Sequence, residues 1–315
     1  MQFIKSLFRE RTYTLTLFIV ITFIIASIIF PGQFPTFQNI QQILLNSSVE
    51  TIVAVGMMVL LISGAFDLSV GSVAAMAGAL TAWLMMIAET NSIVAIAGGL
   101  SAALLVGLFN GYFISYIGIN PLIQTLATMG MVRGIALMIA GAGIQNLPYE
   151  FIYIGQSKML GIQSPVWWML IIVILFHYLT TYTVFFRRYY YIGGNEIAAE
   201  LSGIHVKKVK MFGFILSAFL AGLAGILLTS RLGAAISSIG NGMELRVITA
   251  VILGGASLKG GQGKIFGALL GTILIGVISN IMVLSRVSGY WQEIIIGIIL
   301  IGAIWLDLAV QRKTE

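Results

Sequence analysis

The chain has 315 residues, of which 59% are hydrophobic and only 9% are charged, and its mean hydropathy is +1.02. Soluble domains are about half apolar and a quarter charged, so this composition excludes a water-soluble enzyme and a disordered chain and leaves a polytopic membrane protein. The net charge is +6, cysteine is absent and there are two histidines, which excludes disulfides and a multi-histidine metal site.

The apolar runs predict about ten membrane-spanning helices, since each crossing needs about 20 mostly apolar residues. The apolar runs are continuous rather than alternating, which excludes a β-barrel. The predicted spans are 12–30, 49–63, 70–88, 92–115, 121–140, 165–183, 210–229, 243–254, 264–284 and 290–308. The predicted fold is therefore an all-α polytopic membrane protein with one transmembrane domain over residues 1–315.

The positions of Lys and Arg predict the orientation, because cytoplasmic loops are enriched in them. With the N-terminus inside, an even number of spans puts the C-terminus inside too, and the basic residues then gather at both ends and in the loop 184–209. The loops 31–48 and 141–164 are then exterior. We therefore expect both termini to be cytoplasmic.

Two predicted spans, 49–63 and 243–254, are shorter than a crossing, and each runs into a Gly-rich break. Discontinuous helices in matching positions of two halves of a chain point to a transport pathway. The alternative is two ordinary glycine turns between tilted helices. The sequence at this stage leaves both interpretations open.

Three charged residues are candidates for structural or gating roles: Asp67, Arg133 and Glu244. We expect Asp67 to cap the span that follows it through early backbone N–H groups. Arg133 is expected either to pair with an acid such as Glu150 or to lie at the exterior mouth.

Polar residues within or beside the spans are candidates for lining a pathway, because buried polar groups are costly in a bilayer and usually face the bundle or a cavity. The candidates are Asn110, Asn120, Gln124, Thr125 and Thr128. The alternative for each is a structural hydrogen bond between helices.

The loop 184–209 contains a short predicted helix. Gly193 and Gly194 predict a turn, Asn195 is a predicted N-cap, residues 196–202 have helix-forming composition, and Gly203 predicts the stop.

The apolar residues of this short helix, Ile197, Leu201 and Ile204, fall on one face. Because two turns of helix are marginal alone, we expect the face to pack on something. It either docks on a partner protein or lies on the lipid surface.

Four segments resemble those of ribose-type ABC importer permeases, and they occur in that family's order. They are GAFDLSVGSVAAMAGAL (64–80), NPLIQTLATMGMVRGIALMIAGAGIQNLP (120–148), GGNEIAAELSGIHVKKVK (193–210) and MELRVITAVILGGASLKGGQGKIFGALLG (243–271). Ala65 and Phe66 depart from the second Gly and the Ile that are common in the first segment. The resemblance covers about 45–308 and leaves the substrate open.

The resemblance implies the ABC importer permease fold in the bacterial cytoplasmic (inner) membrane. It also implies a second permease copy or a paralogous permease, a cytoplasmic ATP-binding-cassette ATPase and an extracellular or periplasmic sugar-binding protein. It places the ATPase-coupling loop on Gly193, Gly194, Asn195, Glu196, Ala198, Ala199, Ser202 and Gly203.

In this interpretation the chain performs no covalent chemistry and binds no cofactor, metal or nucleic acid, since ATP and Mg²⁺ belong to the partner ATPase. The sequence has no G-x-x-x-x-G-K-[ST] phosphate loop. The expected cargo is a ribose-like pentose, a hexose or a related small solute. The alternative is an ion-coupled secondary transporter, which the scarcity of mid-span carboxylates disfavours.

Overall fold

The computed structural model describes residues 11–236 and 238–311 as a helical bundle with one small hairpin. The helices are α1 (Arg11–Ile29), α2 (Phe37–Ile62), α3 (Val70–Met86), α4 (Ser92–Tyr112, extended by a π-helical turn Phe113–Ile117), α5 (Pro121–Ala140), α6 (Tyr149–Gln156), α7 (Ser164–Tyr182), α8 (Val184–Gly194), α9 (Glu196–Leu201), α10 (Val206–Leu232), α11 (Met243–Leu253), α12 (Ile265–Leu284) and α13 (Gly289–Gln311). The antiparallel hairpin pairs β1 (Lys158–Met159) with β2 (Ile162–Gln163).

In the described part of the chain, seven helices are long and apolar enough to cross a membrane: α1, α2, α4 with its π-helical turn, α5, α7, α10 and α12. The apolar helices α3 and α13 are shorter by this measure. The all-α polytopic class is confirmed. The count of ten crossings and the cytoplasmic termini stay predictions.

The predicted start of the second span is wrong, because α2 begins at Phe37 and runs for 26 residues. Thr36 caps this helix by accepting a hydrogen bond from the Asn39 N–H at 3.3 Å. The polar stretch assigned to a loop is an amphipathic helix, in which Ile43 is buried and Gln42 is exposed. Helix α2 is therefore long enough to cross a membrane, and the prediction that the span 49–63 is too short for a crossing is wrong.

Helix α10 lies at the centre and packs against α2, α3 and α4. Small residues permit the close approach. A Cβ on Gly225 would lie 2.0 Å from the Ala74 carbonyl oxygen, and one on Gly222 would lie 2.6 Å from the Ala103 Cβ. The small residues of this predicted span therefore form the packing face between helices, as in other close-packed membrane bundles.

Helix α2 connects two opposite ends of the bundle. Near its start, Gln41 Nε2 donates to the Gly161 carbonyl of the hairpin at 2.8 Å. At its last residue, the Ile62 carbonyl accepts from the Gly261 N–H at 2.8 Å. At 1.5 Å per residue these contacts lie about 31 Å apart. We call the end of the bundle near Gln41 the hairpin end and the end near Ile62 the α9 end.

Candidate functional site

Helix α3 begins inside the protein rather than at an end of it. After α2 ends, residues 63–69 turn back into the bundle, and Asp67, Ser69 and Val70 are fully buried. In the second turn of α3, Ala74 contacts Gly225, about 28 Å along α10 from the start of that helix. The break after α2 therefore carries polar residues into the interior.

The N-terminus of α11 meets the N-terminus of α3 at a glycine pair. A Cβ on Gly71 would lie 2.3 Å from the Gly240 carbonyl oxygen and 2.5 Å from Glu244 Oε2. Gly240 has φ +74, a left-handed conformation that favours glycine and turns the chain into α11. Because helix N-termini carry partial positive charge, the meeting point favours acidic groups, and Asp67 and Glu244 lie beside it.

Asp67 makes a local turn with Ser69. Its Oδ1 accepts from the Ser69 N–H at 2.8 Å and from the Ser69 hydroxyl at 2.6 Å. The expectation of a cap on the helix proper is wrong, since Ser69 precedes α3 and the first turn has no side-chain cap. Asp67 Oδ2 is buried without a hydrogen-bond partner among the described residues. The residue therefore keeps an open acceptor inside the bundle.

A buried polar network ties α4 and α5 to this turn. Asn110 Nδ2 donates to Ser69 Oγ at 3.1 Å, and Asn110 Oδ1 accepts from the Thr128 hydroxyl at 2.6 Å and from Gln124 Nε2 at 3.4 Å. The structure thus brings three of the predicted pathway residues together with Asp67. Ser69 was not among the predicted site residues, although the Asp-x-Ser spacing of Asp67 and Ser69 is a signal that could have indicated it.

The other two predicted pathway residues make local contacts. The buried Thr125 hydroxyl donates to the Pro121 carbonyl of its own helix at 2.8 Å. Asn120 is exposed at the N-cap of α5, where its Oδ1 accepts from the Leu122 N–H at 2.8 Å. Neither side chain has a bond to the Asn110 network among those found in the described part of the chain.

Arg133 contacts the segment that leads into α11, where its Nη1 donates to the Ile239 carbonyl at 2.7 Å. Glu244 is the acid that interacts with it electrostatically, whereas the sequence suggested Glu150. Next to them, Arg246 pairs with Glu50 at 2.7 Å and with Glu293 at 3.3 Å. These pairs fix α11 against α2 and α13.

At the α9 end, α8 continues as a helix through Gly193 and Gly194, so the predicted turn at this pair is wrong. Gly193 is needed for close packing instead. A Cβ there would lie 1.9 Å from the Ile62 carbonyl oxygen and 2.3 Å from the Gly261 nitrogen. A Cβ on Gly194, in contrast, would meet nothing within 4 Å.

Gly64, Gly193, Gly260 and Gly261 form a backbone contact that we call the glycine junction. A Cβ on Gly260 would lie 2.9 Å from both the Gly64 nitrogen and the Gly193 Cα. Gly64 begins the break before α3, and Gly260 and Gly261 lie in the loop after α11. The junction therefore joins α8 directly to both helix breaks.

Two tyrosines of α8 hold it in this position. The Tyr190 hydroxyl donates to the Gly263 carbonyl at 2.9 Å, and the Tyr189 hydroxyl donates to the Val209 carbonyl at 2.8 Å. Burial raises the pKa of both hydroxyls, so each remains a proton donor at physiological pH.

Helix α9 is short and capped at both ends, as the sequence predicted. Asn195 Oδ1 accepts from the Ala198 N–H at 2.9 Å. Gly203 has φ +83, and the Gly203 N–H donates back to the Glu200 carbonyl at 2.9 Å. These bonds satisfy backbone groups that a six-residue helix leaves unpaired.

The two faces of α9 differ in exposure. Ala199 is buried against the chain, whereas Ile197 is 73% exposed and Leu201 is 85% exposed. Glu196 bonds Lys210 Nζ at 2.6 Å and so ties α9 to α10. Of the other predicted coupling residues, Gly193 is half-buried, and the following are exposed: Gly194, Asn195, Ala198, Ser202 and Gly203.

Apolar helices of spanning length, with two helix N-termini that meet in the interior, define a multi-pass membrane protein of the transport type. The family model described as the permease component of a branched-chain amino acid transport system matches residues 39–304. The chain belongs to this permease family and is a multi-pass protein of the inner membrane, as expected.

Individual relatives match nearly the whole chain. The ribose import permease protein RbsC of Escherichia coli (strain K12) is 36% identical over 310 residues, which cover 97% of this chain and 95% of the relative. The L-arabinose transport system permease protein AraH of that strain is 39% identical, with 91% and 88% covered. The D-allose transport system permease protein AlsC is 35% identical, with 98% and 94% covered. No solved structure matches significantly.

Proposed function

We propose that the chain is the permease subunit of an ATP-driven sugar importer. It pairs with a second copy or a paralogous permease, receives a sugar from an extracellular binding protein, and is driven by a cytoplasmic ATPase that binds the ATP and Mg²⁺. The names of the relatives, which include ribose, arabinose and allose permeases, support a monosaccharide as cargo.

The exposed apolar face of α9 carries this proposal. Ile197 and Leu201 face away from the chain on a helix that is capped, ion-paired to α10 and anchored through Ala199. Burying a side chain of this size is worth about 1.5–3 kcal/mol. An apolar groove on the ATPase would thus gain affinity from two adjacent, preorganised side chains.

The glycine junction gives the docked helix a mechanical route to the interior. A displacement of α8 moves the Ile62 carbonyl and the Gly261 N–H, with which Gly193 is in contact. Ile62 ends α2 just before the break that leads into α3, and Gly261 lies in the loop that follows α11. Helices α3 and α11 meet at Gly71 and Gly240. ATP-driven motion at α9 would in this way open and close the centre of the bundle.

The Asn110 network is the proposed wall of the pathway. Asn110, Gln124 and Thr128 offer amide and hydroxyl groups that exchange readily with sugar hydroxyls. In the present conformation they bond one another. Separation of α4 from α5 would break these bonds and release the three side chains to the sugar, while Asp67, Arg133 and Glu244 would act at the neighbouring helix ends.

Chemical cross-linking tests the docking surface. The chain has no native cysteine, so Leu201→Cys introduces a single thiol on α9. In membranes that contain the ATPase, a maleimide that carries a photoactivatable benzophenone should link this position to the ATPase, since the benzophenone inserts into any nearby C–H bond. Leu160→Cys is the matched control, because Leu160 is 83% exposed at the hairpin end. Equal linking at both positions, or at neither, would reject α9 as the docking site.

One observation favours the ion-coupled alternative: Asp67 is a fully buried carboxylate with an open oxygen. If an ion gradient drove transport, Asp67→Asn would abolish coupling of uptake to that gradient. In the proposed importer, wild-type uptake requires ATP and is unchanged when proton and sodium gradients are collapsed. Gradient-dependent uptake that is lost in Asp67→Asn would support the alternative.

A further inference from the structure

The hairpin end contains a polar pocket with about 500 Å³ of space, part of which is open to solvent. Its walls come from the start of α2, from the β1–β2 hairpin and from the start of α7. It lies about 31 Å along α2 from the glycine junction. The pocket is therefore distinct from both the Asn110 network and α9.

Side-chain amides dominate the wall of this pocket. Gln38, Gln41, Gln42 and Gln163 line it, together with one basic residue, Lys158, and none of the described lining residues is acidic. Each amide offers both a donor and an acceptor, which matches the paired donor and acceptor character of adjacent hydroxyls. A single lysine among neutral amides favours an uncharged polar ligand over a polyanion.

The four amides differ in the hydrogen bonds that they already make within the protein. Gln41 is committed to the hairpin through its bond to Gly161, and Gln42 Nε2 bonds Asn46 Oδ1 at 3.2 Å. Gln163 Oε1, however, is buried with no hydrogen-bond partner among the described residues. Leaving such an acceptor unpaired costs about 1–3 kcal/mol, so rotation of the Gln163 amide toward a ligand hydroxyl in the pocket would be favourable.

Apolar side chains complete the wall, since Leu45 and Val166 lie beside the glutamines. A ligand with hydroxyl edges and a C–H face matches this mixture. We propose that the pocket is a low-affinity binding site for a neutral monosaccharide, held by the amides of Gln38 and Gln163. The proposal rests on the proposed function for the choice of sugars and for the assignment of the hairpin end to the exterior.

Direct binding to the permease alone tests this site. Purified chain in lipid nanodiscs, without ATPase or binding protein, is titrated with ribose, L-arabinose and D-allose and observed by saturation-transfer NMR. We expect saturable binding of at least one sugar, with a Kd on the order of 1–10 mM for a shallow site. Leucine, a zwitterion with an apolar side chain, should not compete.

Two variants and one matched control locate the binding. Gln38→Leu changes an exposed residue and Gln163→Leu removes the unpaired oxygen, and each should weaken sugar binding at least tenfold. Gln33→Leu changes an exposed glutamine that does not line the pocket and should leave the Kd unchanged. Absence of saturable binding, equal binding by all variants, or equal competition by leucine would overturn the proposal.

The outcome separates this site from the proposed function. ATP-driven uptake by the complete transporter without sugar binding to the nanodisc protein would overturn the pocket and leave the importer standing. Sugar binding without ATP-driven uptake would do the reverse. If the same variants only weaken contact with the binding protein, and the wild-type permease binds no sugar, the pocket is a protein contact and the proposal is wrong.

Discussion

Gly193→Ala is expected to uncouple ATP hydrolysis from sugar uptake. The added Cβ would lie 1.9 Å from the Ile62 carbonyl oxygen, whereas ordinary van der Waals contact begins at 3.4 Å. The backbones of α8 and α2 must therefore separate by about 1.5 Å, which breaks the fit of the glycine junction. Overpacking typically costs about 1–3 kcal/mol and occasionally more, and because the atoms met here belong to the backbone the cost should lie at the upper end or above it.

The assay compares ATPase activity with sugar uptake in proteoliposomes that contain the full transporter. Gly193→Ala should retain ATPase binding and basal hydrolysis while uptake per ATP falls at least tenfold. Gly194→Ala is the matched control, because its Cβ would enter open space in the same turn. Wild-type transport by Gly193→Ala, or an equal loss of uptake in both variants, would contradict the proposed role of the glycine junction.

Three further expectations concern stability and docking. Asn110→Ala should lower the free energy of unfolding by about 1–3 kcal/mol because its buried partners lose their hydrogen bonds, whereas Thr125→Val should lower it by under about 1 kcal/mol. Equal losses for the two variants, measured by unfolding in detergent, would contradict the Asn110 network. Asn195→Ala removes the N-cap of α9, which is worth about 1 kcal/mol, and should weaken ATPase binding by up to about fivefold in a pull-down titration. Unchanged binding would mean that α9 does not have to be preformed in order to dock. Glu50→Gln removes the closer charged partner of Arg246 and should lower the free energy of unfolding by about 1–3 kcal/mol, whereas Glu293→Gln, at an exposed residue, should lower it by under about 1 kcal/mol. The reverse order in thermal unfolding would be inconsistent with the observed pairing.

Sequence reasoning located most helices because their signals are local. The apolar run and Pro121 fixed α5, which matches its predicted bounds of 121–140. The caps of α9 were likewise readable, since Asn195 and Gly203 act on backbone groups within a few residues. The predicted start of α2 was wrong because the glutamine-rich first turns of this helix resemble a loop as long as it is not known which side of them is buried.

The site depended on contacts that no local pattern contains. Asn110 bonds Ser69, which is 41 positions away, and Gly193 packs on Ile62 at the end of α2 and on Gly261 in the loop after α11. The family resemblance placed Gly193 in the coupling loop, which stays a prediction, and the turn predicted at Gly193 is wrong. A glycine that permits close approach and one that permits a turn are identical in sequence, and only the packing distinguishes them.

Uptake in reconstituted vesicles shows whether the chain works as the permease of an ATP-driven sugar importer. Proteoliposomes are prepared with the permease alone, with the permease and its ATPase, and with both plus the sugar-loaded binding protein, and uptake of labelled ribose, arabinose or allose is measured with and without internal ATP. The account predicts uptake only in the complete system with ATP, and no dependence on proton or sodium gradients. Gradient-driven sugar uptake by the permease alone would contradict it.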